Sequence, residues 1–214
     1  MFPTLLLVKH ILLLAVCLVG DKLLQVVQKP PSLKAVIDNI THAIIGLIVS
    51  EIAVRHFKDQ VGRNEFYLLV GFGCLLSSWI DLDHFIEARS FHLHDATNLK
   101  NRPFLHNSMI FLVLIILTIS ATIAQDSLPV SLWLAVTFIA FFTHQLRDAI
   151  RRGLWFRGPY LNYNTAPVFY WVYISLIQLC PHAMIQLLNV QLQHSKIATS
   201  TGDFASKYEA FEIV

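Results

Sequence analysis

The chain has 214 residues, 55% of them hydrophobic and only 14% charged, with a formal net charge of +2. That is too apolar for an ordinary soluble domain of this size, and the charge is too small to argue for a nucleic-acid partner. Three cysteines, an odd number with no framework spacing, speak against a disulfide scaffold and against a thiolate metal site.

Six apolar segments approach the roughly 20 residues that a helix needs to cross a bilayer: residues 2–20, 33–54, 65–80, 104–124, 128–142 and 166–190, the third and fifth being short. The first lacks a basic start, carries Lys9 and His10 inside it and ends Leu18-Val19-Gly20, so it reads as a retained helix and not a cleaved leader. Gln28-Lys29-Pro30-Pro31-Ser32 then breaks the chain, with Ser32 able to cap the next helix. In the second segment Asp38 and His42 are four apart and share a face, and Gly46 one turn on leaves room for another helix.

The third segment carries Gly71 and Gly73, runs out at Trp79 and is followed at once by Asp81-Leu82-Asp83-His84. Residues 87–102 form a polar loop with His92, His94 and Asp95, of a length usually kept for function. His106 opens the fourth segment, where free backbone amides favour negative charge. Residues 125–129 make a tight turn, and the fifth segment ends with His144, Arg147 and Asp148. Residues 151–167, with Trp155, Tyr160 and Tyr163, suit a structured interfacial cap. Tyr170, Trp171 and Tyr173 begin the last helix, and the apolar period fades after Val190.

The expected architecture is therefore all-α: a polytopic membrane protein of about six transmembrane helices, with residues 1–190 as one helical domain and 191–214 as a mobile tail. The loops after segments one, three and five are richer in lysine and arginine, which puts them on the cytoplasmic side. Lys9 and His10 read as a polar interruption facing other helices, Glu51 as reaching interface water, and His182 and His194 as having no companions.

In six alternating helices, the starts of segments two and four and the ends of three and five fall on one side of the bilayer. Ionisable groups near lipid are costly and usually mark a site. Asp83, His84, His106, His144 and Asp148 are the main candidate metal ligands, with Asp81 and His42 as further ligands or as base and orienter. An all His/Asp set fits zinc with an open position, or manganese or iron, and a metal so held makes hydrolytic chemistry accessible near neutral pH. Arg102, one turn before His106, is the candidate contact for a phosphate group on the substrate.

The order Thr41-His42-Ala43-Ile44-Ile45-Gly46, Asp81-Leu82-Asp83-His84, Arg102 with His106, and His144 with Asp148 followed by Gly153 and Trp155 resembles the bacterial YdjM-like membrane-bound metal-dependent hydrolases. The resemblance covers residues 42–159. It implies a multi-helix membrane protein with a metal centre at the matching His and Asp positions. The chain departs from that pattern at Ile80, where the family has proline, at Asn101, where it has histidine, and at Arg151, where threonine is common.

Two functions follow. One is metal-dependent hydrolysis of a phosphoester or lipid-like substrate at the membrane surface. The other is a non-catalytic multi-pass protein whose His/Asp cluster ties helices together or holds an ion without turnover. With no repeat and no pair of interrupted helices, a transporter ranks below both.

Overall fold

The computed structural model describes residues 3–27, 29–124 and 127–211, with side chains for 4–27, 29–124 and 127–193. Apolar runs and polar breaks alternate into α1 (Pro3–Val26), α2 (Pro31–Arg55), α3 (Arg63–Trp79), α4 (Asp83–Ala88), α5 (Leu93–Thr97), α6 (Met109–Ile123), α7 (Leu128–Arg152) and α8 (Tyr170–Phe211). A 3-10 turn, Ile80–Leu82, joins α3 to α4, and a second, Phe104–His106, precedes α6. Between α7 and α8 lies an antiparallel hairpin of β1 (Trp155–Gly158) and β2 (Leu161–Asn164).

Five stretches are long and apolar enough to cross a membrane: Thr4–Val26, Pro31–Arg55, Arg63–Ala88, Leu128–Arg152 and Tyr170–Gln193. The fourth expected span, residues 104–124, is the short one. With 15 residues, α6 covers only about 22 Å at 1.5 Å per residue, less than the roughly 30 Å hydrocarbon core.

The third and fifth spans, expected to be short, are long. α7 continues ten residues past Phe142 because Thr143, His144, Gln145 and Arg147 are polar yet buried, so hydropathy falls while the helix persists. α2 begins at Pro31, with proline in the first turn where its missing N–H costs nothing; the cap position is Pro30, so Ser32 lies inside the helix and is not its cap. Gln28 of that expected break, and Gln125 and Asp126 of the expected tight turn, lie outside the described residues. The last helix keeps helical backbone to Phe211, beyond the start of the expected tail; His194's side chain also lies outside the described residues.

The core centres on α7, the most buried of the long helices, against α2, α3 and α8. α2 and α3 approach closely at two reciprocal contacts. A Cβ on Gly46 would stand 2.1 Å from Ser77 Oγ and 2.6 Å from the Gly73 carbonyl, and one on Gly73 would stand 2.1 Å from Ser50 Oγ. Small residues let the backbones meet, as in membrane helix pairs generally.

Lys9 faces another helix as expected: it pairs with Glu51 of α2, which also binds Arg55. Glu51 thus meets cations where interface water was expected. His182, expected to be alone, has its Nε2 2.9 Å from that of His10, whose Nδ1 lies 2.6 Å from Gln178 Oε1.

Candidate metal centre

Five separate elements deliver the His and Asp residues to one place. α2 carries Asp38 and His42; the turn after α3 carries Asp81; α4 opens with Asp83 and His84. The turn before α6 ends in His106, and α7 carries His144 and Asp148.

The hairpin braces the His106 turn. Asn107 donates to the Arg157 carbonyl and accepts from the Arg157 N–H, while Ser108 N–H donates to the Trp155 carbonyl at 2.7 Å. From the other side, Gln145 donates to the carbonyls of Leu105 and Asn107. This bracing fixes a residue that would otherwise sit on a free loop.

Asp81, His106, His144 and Asp148 face one another. The two Nε2 atoms are 3.2 Å apart. Asp81 Oδ1 lies 3.5 Å from His106 Nε2 and 3.4 Å from His144 Nε2, and Asp148 Oδ2 lies 3.4 and 3.8 Å from the same two nitrogens. A tetrahedron with metal-to-ligand arms of about 2.0–2.2 Å has edges of about 3.3–3.6 Å; the five contacts made by the two nitrogens are close to that, and all four atoms lie within 4.8 Å of one another, a grouping that could hold one ion.

Both imidazoles are held from behind. Nδ1 of His144 is 2.8 Å from the Ser77 carbonyl, which requires an N–H there and leaves the Nε2 lone pair facing the centre. Nδ1 of His106 is 3.3 Å from the Asp83 carboxylate, the carboxylate–histidine arrangement that orients metal ligands elsewhere. Asp83 itself accepts the Leu105 N–H at 2.7 Å. Its Oδ1 stands 3.2 Å from His84 Nδ1, yet neither atom has a well-formed hydrogen bond among the described residues.

His42 stacks on His144, ring centres 3.8 Å apart. It is 2% exposed, and among the described residues neither of its nitrogens has a hydrogen-bond partner. Leaving a buried polar group unsatisfied costs about 1–3 kcal/mol, so the position is expensive without a further ligand. Its Nε2 lies 3.8 Å from Asp38 Oδ1 and 3.7 Å from Asp148 Oδ1.

Arginines flank this side. Arg147, 1% exposed, donates through Nε to Asp21 at 2.9 Å and through Nη1 to Asp38; Arg151 Nη2 donates to Asp148 Oδ1 at 2.6 Å and to Asp38 Oδ2 at 3.2 Å. Asp21, whose second oxygen accepts from Tyr170 at 3.1 Å, joins α1 to this network.

A tight cleft of about 30 Å³ opens beside the centre, lined by His84, Arg102, His106, Asp148, Arg152 and Trp155 among others. Arg102 donates to the carbonyls of Gly153 and Arg152, which fastens the His106 turn to the end of α7. Burial and the neighbouring Arg152 hold Arg102 below the ordinary guanidinium range, with Asp148 pulling the other way. At about 1.5 Å per residue, Asp148 sits roughly 6 Å and His144 roughly 12 Å below the end of α7, so the cleft reaches down from one face of the bundle.

Burial opposes a charge on His106, but the carboxylates of Asp148, Asp81 and Asp83 outweigh it and push its pKa up to about 11. A proton on Nε2 points at Asp81 Oδ1, Asp148 Oδ2 and His144 Nε2, the atoms that an ion would join, while Asp83 faces Nδ1.

All eight residues singled out in the sequence converge here, although not in equal positions. Asp81 faces the four-atom centre, Asp83 stands behind His106, and His84 and Arg102 line the cleft. His92, His94 and Asp95 stay on the exposed loop, as does Asn101. Sequence reasoning passed over Asp21 and Gln145. Asp21 carried a usable signal: a carboxylate at the end of an apolar run, the criterion that picked out the others.

The chain is 36% identical to transmembrane protein 267 of Danio rerio over 195 residues, which cover 88% of this chain and 83% of that protein. The chain belongs to the transmembrane protein 267 family. It is also 35% identical to the Mus musculus member, with 78% of each covered, and 36% identical to the Xenopus laevis member, with 77% of this chain and 74% of that protein covered. No protein-family model and no solved structure matches the chain, so the YdjM-like resemblance rests on the quoted residues alone. Five long apolar helices and these relatives make it a multi-pass integral membrane protein.

Proposed function

We propose that the chain is a metal-dependent hydrolase acting on a phosphoester or lipid-like substrate at the membrane surface. The observation that carries this reading is the spacing of Asp81, His106, His144 and Asp148, where the two Nε2 atoms lie 3.2–3.8 Å from each other and from the two carboxylates beside a cleft lined by arginine. Zinc suits two imidazoles and two carboxylates at tetrahedral spacing; manganese and iron are the alternatives. Such an ion, when bound, supplies Lewis-acid polarisation and acidified water.

The chain's own residues supply the rest. In this reading Asp81 takes the ligand place first given to Asp83, which instead orients His106. His84, at the cleft wall with Asp83 beside its Nδ1, carries the proton between water and leaving group. Arg102 and Arg152 meet the anionic oxygens.

The cleft is far smaller than the 300–1,000 Å³ or so that encloses a whole small molecule, so only the tip of a substrate enters. Ile86 and Phe104 are 75% and 70% exposed on the elements that frame it, and apolar side chains there suit acyl chains lying in the bilayer.

The test is zinc content and phosphate release from purified protein, with phosphatidic acid in mixed micelles and a water-soluble aryl phosphate as substrates. Asp81→Ala and His144→Ala should lose both metal and turnover. Arg102→Ala should lose affinity for the phosphate and keep its metal, because the hairpin and Gln145 still brace the His106 turn. Unchanged metal content in the first two variants rejects the ligand set. Metal without turnover of either substrate favours the non-catalytic reading, which has its own support in the buried Asp21–Arg147–Asp38 pairing of α1, α7 and α2.

A further inference from the structure

We infer that Asp38, His42 and Asp148 form a second divalent-cation site, and that the guanidinium of Arg151 fills it in place of an ion. The inference rests on the metal centre proposed above, because Asp148 is shared. Its Oδ2 faces the first centre and its Oδ1 faces the second.

Three facts meet at this point. First, one atom each from Asp38, His42 and Asp148 lie within 4.8 Å of one another, a spacing that an ion can span. A carboxylate that offers one oxygen to each of two ions is the bridging geometry of two-ion hydrolytic centres, whose ions stand about 3.5–4 Å apart.

Second, His42 is almost fully buried and has no hydrogen-bond partner among the described residues, while its Nε2 is directed between the two carboxylates at 3.7 and 3.8 Å. A neutral imidazole held this way has a lone pair or an N–H without a use, which a structural role does not explain. A metal ligand does explain it.

Third, the cation already present takes the place between the carboxylates. Arg151 Nη2 donates to Asp148 Oδ1 and to Asp38 Oδ2. Its side chain is 44% exposed, so it approaches from the open side, where an ion would enter. Arg147 is different: it is buried, its Nε is bound to Asp21 and its Nη1 holds Asp38 Oδ1 from within, so the Asp38 oxygen that an ion would take is Oδ2, the one Arg151 now holds. A second ion beside the guanidinium would face a like charge across a shared oxygen. The chain therefore holds one ion, and Arg151 gives the second position a fixed positive charge without Lewis acidity.

The experiment counts zinc per chain by elemental analysis, on full-length protein purified in detergent, equilibrated with zinc and freed of excess. The parent should hold one zinc. Arg151→Ala and Arg151→Gln should each hold two, Arg151→Lys should hold one, and Arg151→Ala combined with His42→Ala should return to one. The first ion serves as the check that each variant is folded at the centre, and the glutamine variant keeps the side-chain length should alanine unfold the region. A parent that holds two, or alanine and glutamine variants that stay at one or fall below it, overturns the inference while leaving the first centre standing. A parent with no zinc removes the proposed centre itself.

Discussion

Loading the centre should expel a proton from His106, and the pH dependence of zinc binding measures it. In the ion-free protein burial works against the charge, but three carboxylates push the pKa to about 11. Keeping that proton at pH 7 is worth on the order of 5 kcal/mol, at about 1.36 kcal/mol for each tenfold step. An entering ion has to offset this. Zinc affinity should therefore rise about a hundredfold from pH 6.5 to 8.5, and calorimetry in two buffers of different protonation enthalpy should count about one proton released per ion. The metal-free protein should show the opposite trend. The folded-state pKa is raised above the unfolded value of about 6.5, so its contribution to stability is complete below that pH and is lost as pH rises through about 11. Melting of the metal-free chain should fall toward alkaline pH over the window in which added zinc stabilises it most. A flat affinity with no proton released would refute the claim that proton and ion compete for His106.

Three further outcomes follow from the packing. Asp83→Asn removes the carboxylate behind His106 Nδ1 and should weaken zinc binding about 10–100-fold with little change in helix content, measured by competition with a chelating dye. Gly46→Ala drives a Cβ against the Gly73 carbonyl and Ser77, so α2 and α3 must part; a loss of about 1–3 kcal/mol in detergent unfolding is expected, with reduced zinc because the Ser77 carbonyl holds His144. Arg147→Met strands the buried Asp21, leaves Asp38 with Arg151 alone and should cost about 3–5 kcal/mol, while adding Asp21→Asn should recover much of it.

The ionisable residues in this chain betray themselves because apolar surroundings make them conspicuous. His42, Asp81, Asp83, His84, His106, His144 and Asp148 were legible as one set from their places at the ends of apolar runs. Their division of labour was not. Asp81 and Asp83 lie two apart, and only the 3-10 turn Ile80–Leu82 decides that Asp81 faces the two Nε2 atoms while Asp83 meets Nδ1 from behind. The length of α7 escaped for a related reason: hydropathy measures contact with lipid, and residues 143–147 turn inward. The hairpin was hidden in an aromatic stretch read as a cap, although Gly158-Pro159 between its two aromatic-bearing strands was a turn signal.

The buried Arg147 also bears on how the chain enters the bilayer. Arg147 lies five residues from the end of α7, and an unpaired arginine there adds to the cost of leaving the translocon, up to the about 2.5–3.5 kcal/mol of a central one. Its two acceptors, Asp21 and Asp38, lie more than a hundred residues upstream, so they emerge from the ribosome first and wait in the membrane when α7 arrives. Biogenesis thus has a built-in order: α7 partitions by docking onto residents already in place, and a truncation that removes α1 deprives the fourth long helix of its welcome.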